Sequence, residues 1–203
     1  MPLRIFDREA GYQPFINLRK RNSVKLDQKY FNKFLLGCAA LTMAVIIYST
    51  VRYTDTQQRE FFENIESLTL QELPLNGFFD GDPVDLSGGN APSVVHFWST
   101  WSGMSMDVNE RLYNLQRRHF PELTVYAAVV RDGEETVREY TDANAFNFRY
   151  VQGTELFQEL KATGVPTLLF FNRDGSLADF QIGRDLEAIE QKTRALMELG
   201  AGW

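Results

Sequence analysis

Between Lys33 and Arg52 the sequence FLLGCAALTMAVIIYSTV runs for 18 residues without a charge. No other stretch limits the fold of this chain so strongly. At 1.5 Å per residue a helix of that length reaches roughly 27 Å, close to the hydrocarbon thickness of a bilayer. Tyr30 and Phe31 precede it, and Tyr48 and Tyr53 stand near its far end, where aromatic side chains suit the two membrane interfaces. A buried core helix of this length normally keeps a polar face, and this stretch lacks one. A cleaved signal peptide fits poorly: a long arm comes first, and no small-residue cleavage site follows Tyr48. Residues 34–51 are therefore expected to be a retained, single-pass transmembrane helix that contacts the lipid bilayer.

The charge pattern orients that helix. The formal net charge of −6 combines two unequal parts. Residues 1–33 hold eight Lys or Arg against three acidic residues, a net +5, whereas residues 52–203 hold 13 basic against 24 acidic residues, a net −11. Basic residues favour the cytoplasmic side, which predicts a cytoplasmic N-terminus and an external C-terminal domain, periplasmic in a bacterial inner membrane. The basic arm has three readings: a topology signal only, a contact with anionic lipid, or a docking segment for the cytoplasmic faces of other subunits. The overall charge is against nucleic-acid binding, and Arg19-Lys20-Arg21 is too short a cluster to reverse that.

The chain has one cysteine, Cys38, and two histidines, His96 and His119. An internal disulfide is impossible, as is a zinc site built from several thiolates. No metal site and no cofactor are expected.

Residues 52–71 read as a helical or extended stalk, and 72–203 as an external domain. Pro83-Val84-Asp85-Leu86 fits a short strand and Ser87–Pro92 a loop. Ser93-Val94-Val95-His96-Phe97-Trp98 is a nearly continuous apolar run, the pattern of a strand buried on both faces. A capping turn follows, then a helix from Met104 to His119 stopped by Pro121. Leu123–Val130 is a second buried strand, Glu134–Tyr140 a helix, Phe146–Tyr150 a short strand or extended piece, and Glu155–Ala162 a helix capped by Thr154. Thr167–Phe171 and Leu177–Ile182 flank Asn172-Arg173-Asp174-Gly175, a hairpin signal, and Leu186–Leu199 closes with an amphipathic helix. The order β-α-β-α-β-β-α predicts an α/β sandwich with a mixed central sheet.

Two of these segments carry a resemblance. Val94-Val95-His96-Phe97-Trp98-Ser99-Thr100-Trp101-Ser102-Gly103-Met104-Ser105 is similar to the strand and active-site turn of the thioredoxin-like superfamily, V-x-F-W-A-x-W-C-G-P-C. Gly164-Val165-Pro166-Thr167 and the hairpin after it resemble that superfamily's cis-proline loop. With Pro83–Leu86, the pair most resembles the membrane-anchored TlpA-like branch, over about residues 72–199. The resemblance implies a thioredoxin-like sandwich behind one N-terminal transmembrane helix, with Pro166 in the cis form. Trp101, Met104, Val165 and Pro166 would then line the groove that holds a substrate peptide in active relatives, and here a partner segment.

The departure from the pattern decides the chemistry. The two catalytic cysteines of the family fall on Ser102 and Ser105, and the proline between them on Met104. Thiol exchange requires a thiolate attacking sulfur; a serine hydroxyl forms no mixed disulfide, and Cys38 lies in the apolar stretch. No catalytic residue is therefore assigned, and Ser102 and Ser105 are expected only to cap the helix. His96 and His119 are not placed to activate Ser102. Met104 and Met106 offer thioethers to copper(I), but without a cysteine or a histidine pair beside them, packing or partner contact fits better.

Three functions are compatible with these features. The first is a non-catalytic accessory subunit of a larger integral membrane complex, respiratory or photosynthetic by analogy with TlpA-like proteins. The second is a periplasmic assembly factor or holdase for cytochrome or oxidase maturation, using the degenerate groove. The third, an enzyme with a displaced active site, has least support.

Overall fold

The computed structural model describes residues 28–86 and 91–200. The arm up to residue 27, with all three readings of it, and most of the loop expected at 87–92 lie outside the described residues. The chain forms two compact units, Met1–Ile47 and Tyr48–Trp203.

Helix α1, Gln28–Ile65, runs well past both ends of the span expected at 34–51. In the first unit it exposes Phe34, Leu35, Leu36, Leu41 and Met43, and Gly37 has open space on its Cα. The stretch Tyr30–Thr50, with a mean hydropathy of 1.7, is long and apolar enough to cross a membrane, and none of it is buried by protein.

The second unit is built on a five-stranded sheet. Strands β1 (Ser93–Trp98), β2 (Thr124–Val129), β3 (Arg149–Gln152), β4 (Thr167–Phe171) and β5 (Leu177–Ile182) lie in the order β3-β2-β1-β4-β5. The first three are parallel, and β4 and β5 are antiparallel to their neighbours, so the sheet is mixed as the element order predicts. Strand β1 is central, and all six of its residues are buried. Its side chains alternate between two apolar layers. Val95 and Phe97 pack with Phe61, Ile65, Leu169 and Phe171. Val94 and Trp98 pack on the other face with helix α2 (Gly103–Arg118), through Val108 and Leu112, and with helix α5 (Leu186–Gly200), through Ile189 and Leu196. An α/β sandwich results. Helix α3 (Glu134–Ala143) contributes Val137 to the second layer, and helix α4 (Thr154–Glu159) contributes Leu156 to the first.

Several expectations need correction. The stalk predicted over 52–71 is not free of the domain, because three of its apolar side chains enter the core: Phe61 and Ile65 are fully buried, and Leu70 is 3 % exposed. Asn64 Nδ2 also donates to the Leu160 carbonyl, and Lys161 pairs with Glu60. The end of α1 thus covers one face of the sheet, and the domain starts well before residue 72. Pro83–Leu86 is no strand; only an isolated bridge joins Pro83 to Asn76, and the Asn76–Phe78 segment instead runs along the outer edge of β3, where Phe78 N–H donates to the Tyr150 carbonyl. The short strand or extended piece expected at Phe146–Tyr150 is β3, which starts three residues later and ends two later. The helix expected over Glu155–Ala162 ends at Glu159, with Gly153 rather than Thr154 as its cap. The Thr154 hydroxyl is taken, accepting from Arg131 N–H at 2.9 Å. A Cβ on Gly153 would lie 2.8 Å from the Ala128 carbonyl carbon, so only glycine lets this turn approach β2. The hairpin turn closes as its Asp-Gly pair predicts: Gly175 has φ +85°, and its N–H donates to the Asn172 carbonyl.

Candidate functional site

The register of the sheet decides what meets at the candidate site. Phe97 on β1 pairs with Thr167 on β4, so the segment leaving β1 and the segment entering β4 lie at one end of the sheet. The first carries Trp101, Ser102, Met104 and Ser105; the second carries Val165 and Pro166. The Val165-Pro166 peptide is cis. The Pro166 carbonyl accepts from Gly183 N–H at 2.9 Å, and Thr167 Oγ1 donates to the Gly164 carbonyl at 2.6 Å, which ties the loop to the sheet at both sides of the proline. Pro166 is buried and Val165 half-buried.

Ser102 is the N-cap of α2. Its backbone is extended, and its Oγ accepts from Ser105 N–H at 3.3 Å, which satisfies one of the unpaired donors of the first turn. Ser102 is 7 % exposed. Ser105 is fully buried, and its Oγ has no hydrogen-bond partner among the described residues. Trp101 and Met104, by contrast, are 64 % and 50 % exposed. The two serines therefore face inward while the indole and the thioether face solvent.

Neither histidine is arranged to activate Ser102. His96 lies on the buried face of β1 that packs against α2, and its Nδ1 is 3.0 Å from Asn109 Oδ1. Burial pushes its pKa down to about 3, against the opposing effect of the Asn109 hydrogen bond, so the ring is neutral at ordinary pH. His119 is the C-cap of α2, at the opposite end of a helix about 24 Å long. Cys38 is exposed on α1 in the first unit. Among the described residues, no group of three or more His, Cys, Asp or Glu side chains is placed to hold a metal ion.

One residue that organises the turn was not singled out from the sequence. Asp132, just after β2, accepts three hydrogen bonds on Oδ2: from Ser99 Oγ at 2.9 Å, Thr100 N–H at 2.6 Å and Thr100 Oγ1 at 2.7 Å. Its Oδ1 accepts from Gly133 N–H. The carboxylate thus anchors the backbone immediately before Trp101 and Ser102. An Asp-Gly pair after a strand signals a turn but does not reveal which distant loop the carboxylate will hold. A second tie lies at the other side of the turn, where Arg184 Nη1 meets Asp107 Oδ2 at 2.5 Å and joins the end of β5 to α2. Both side chains of that pair are about half exposed, so its contribution to stability is small.

No protein-family model and no curated protein matches this sequence. Solved structures do match it. A secreted disulfide oxidoreductase of Mycobacterium tuberculosis, homologous to DsbE of E. coli, superposes with a TM-score of 0.51 at 17 % identity, covering 60 % of this chain and 95 % of its own. A thiol:disulfide interchange protein of the thioredoxin family from Chlorobium tepidum gives 0.52 at 17 % identity, over 60 % and 91 % of the two chains. A thiol-disulfide isomerase from Corynebacterium glutamicum gives 0.53 at 13 % identity, over 64 % and 96 %. At these identities the likeness establishes the fold: it is thioredoxin-like, and it carries no Cys-x-x-Cys pair.

Proposed function

We propose that this chain is a non-catalytic, membrane-anchored thioredoxin-like protein and an accessory subunit of a larger integral membrane complex, respiratory or photosynthetic in type. The observation that carries the reading is the pair Ser102 and Ser105 at the start of α2, one committed to capping the helix and the other sealed beneath it. A hydroxyl there supplies no thiolate and accepts no electrons from a dithiol. The fold keeps the cis-proline loop and an exposed apolar turn at the same end of the sheet, and these are features of a binding surface. In this reading Tyr30–Thr50 anchors the chain in a bacterial inner membrane with the N-terminus cytoplasmic and the thioredoxin-like domain periplasmic. The groove at Trp101, Met104, Val165 and Pro166 receives a segment of a partner subunit.

The test is purification of the full-length chain from native membranes in mild detergent, followed by mass spectrometry of whatever accompanies it. A stoichiometric set of membrane-protein subunits is the expected result; recovery of the chain alone removes the proposal. The same experiment separates an assembly factor for cytochrome or oxidase maturation, which would be present only while its target matures. The detergent-solubilised full chain should also show no turnover in an insulin-reduction assay, and measurable turnover would overturn the non-catalytic reading.

A further inference from the structure

The turn that lacks thiols is not without sulfur. Met104 stands between Ser102 and Ser105, and Met106 follows one residue after Ser105. The described methionines fall into distinct environments. Met197 is 4 % exposed in the core, and Met43 lies in the apolar stretch of α1. Met104 and Met106 are 50 % and 37 % exposed on the folded domain. They also fall in one short segment with Trp101. Among the described residues beyond 60, the large apolar side chains that stand exposed are Phe62, Phe79, Trp101, Met104 and Met106, and three of these five fall within residues 101–106.

A thioether needs no deprotonation to react, because the sulfur lone pair itself is the nucleophile, and solvent access therefore governs its rate of oxidation. We propose that Met104 and Met106 form a methionine-oxidation site whose conversion to sulfoxide releases the partner from this turn. The inference rests on the docking surface proposed above. The co-reactant is a two-electron oxygen-atom donor, a peroxide or a hypohalous acid. With hydrogen peroxide, the sulfur lone pair attacks one peroxide oxygen, the O–O bond breaks, an S–O bond forms, and the second oxygen leaves as water after taking up the remaining proton. Sulfur is oxidised by two electrons, and peroxide is reduced by two. The product is a polar, chiral side chain in place of a flexible apolar one. Two such groups in the turn and helix start that follow Trp101 replace apolar side chains by ones that prefer water. Reduction by a methionine sulfoxide reductase reverses the change. The turn responds to oxidants by oxygen-atom transfer to thioethers, where dithiol members of this fold respond by disulfide exchange.

The experiment treats the full-length chain in detergent with hydrogen peroxide and follows the gain of about 16 Da per methionine by peptide mass spectrometry. Met104 and Met106 should oxidise at least about tenfold faster than Met197, as its burial dictates; comparable rates at all three positions would overturn the site. A second arm oxidises the complex purified from native membranes. Partner recovery should fall at least about tenfold and return after treatment with methionine sulfoxide reductases. Retention of the partner with both methionines oxidised would overturn the switch while leaving the accessory-subunit reading intact. Absence of any partner before oxidation would instead remove that reading and the switch together, and the oxidation rates would still decide the site. The variant Met104→Gln/Met106→Gln should lose the partner without oxidant while keeping the helical circular-dichroism signal of the wild-type chain. Loss of that signal sends the decision to the oxidation and reduction of the wild-type complex.

Discussion

Nδ1 of His96, on the central strand, lies 3.0 Å from Oδ1 of Asn109, on the helix that begins at the candidate site. Both residues are fully buried, and Asn109 Nδ2 continues the chain by donating to Tyr140 OH at 3.4 Å. A polar string thus crosses an otherwise apolar layer made by Val94, Trp98, Val108 and Leu112. Because a buried polar group left without its partner costs about 1–3 kcal/mol, the string favours one register of α2 on β1. That register sets where Ser102, Met104 and Ser105 sit.

The same pair sets an acid limit to stability. The folded pKa of His96 is about 3, against 6.5 for the free side chain. The unfolded chain therefore binds the proton first, and stability rises with pH across that window. This contribution is full above about pH 6.5 and is lost progressively as pH falls toward 3. Between about pH 7 and pH 5 the loss should come to about 2 kcal/mol. Urea unfolding of the wild type and of His96→Gln at both pH values checks it. The variant should lose less stability on acidification, and equal losses would refute the assignment.

Phe61 distinguishes a stalk from a core. It is fully buried, and its ring meets Phe180 edge-on with centroids 5.7 Å apart. Phe61→Ala should destabilise the domain by about 3–5 kcal/mol, the range for removing a buried phenylalanine. An exposed stalk residue would change stability by no more than about 0.5 kcal/mol. Denaturant midpoints of the full chain in detergent decide between them.

Asp132 should act as the clamp of the turn. Asp132→Ala removes the acceptor for Ser99 Oγ, Thr100 N–H and Thr100 Oγ1. A loss of about 1–3 kcal/mol is expected, together with faster hydrogen exchange at the Thr100 amide. Unchanged exchange at that amide would show that the rest of the turn holds itself.

The two serines should respond differently to truncation. Ser102→Ala removes the N-cap acceptor and should cost about 1 kcal/mol. Ser105→Ala removes a hydroxyl that lacks a partner among the described residues and should be close to neutral, within about 0.5 kcal/mol. Thermal unfolding of the two variants under one set of conditions tests the order, and a larger cost at Ser105 would contradict it.

Restoring sulfur at both positions tests the chemical reading from the other side. Ser102→Cys/Ser105→Cys places two thiols at the N-terminus of α2, where the helix dipole stabilises a thiolate. The double variant should gain turnover in the insulin-reduction assay. A folded double variant without turnover would mean that more than the missing cysteines separates this site from redox-active ones.

Much of the frame was legible in the residues themselves. The bounds of β1 and β4 follow from short apolar runs closed by turn residues, because a strand buried on both faces needs no polar alternation, and β5 follows from the hairpin signal at Asn172–Gly175. The Asp174-Gly175 turn declared itself through the one residue that adopts a positive φ without strain. The single cysteine and the serines at 102 and 105 were equally plain, since chemistry of this kind depends on which atoms are present. By itself, then, the sequence determined the mixed α/β sandwich, the long apolar helix and the lack of a dithiol. Tertiary structure decided the rest. It tied the end of the expected stalk to the domain by laying Phe61 and Ile65 on the sheet, and it moved the cap of α4 from Thr154 to Gly153 by giving the Thr154 hydroxyl to Arg131. Asp132 became the anchor of a turn some thirty residues away, and Ser105 went inward while Met104 went outward. Each of these depends on a contact between residues far apart in the chain, or on which side of a helix meets the sheet. Local periodicity registers the apolar pattern of a segment but not the partner that the fold brings to it.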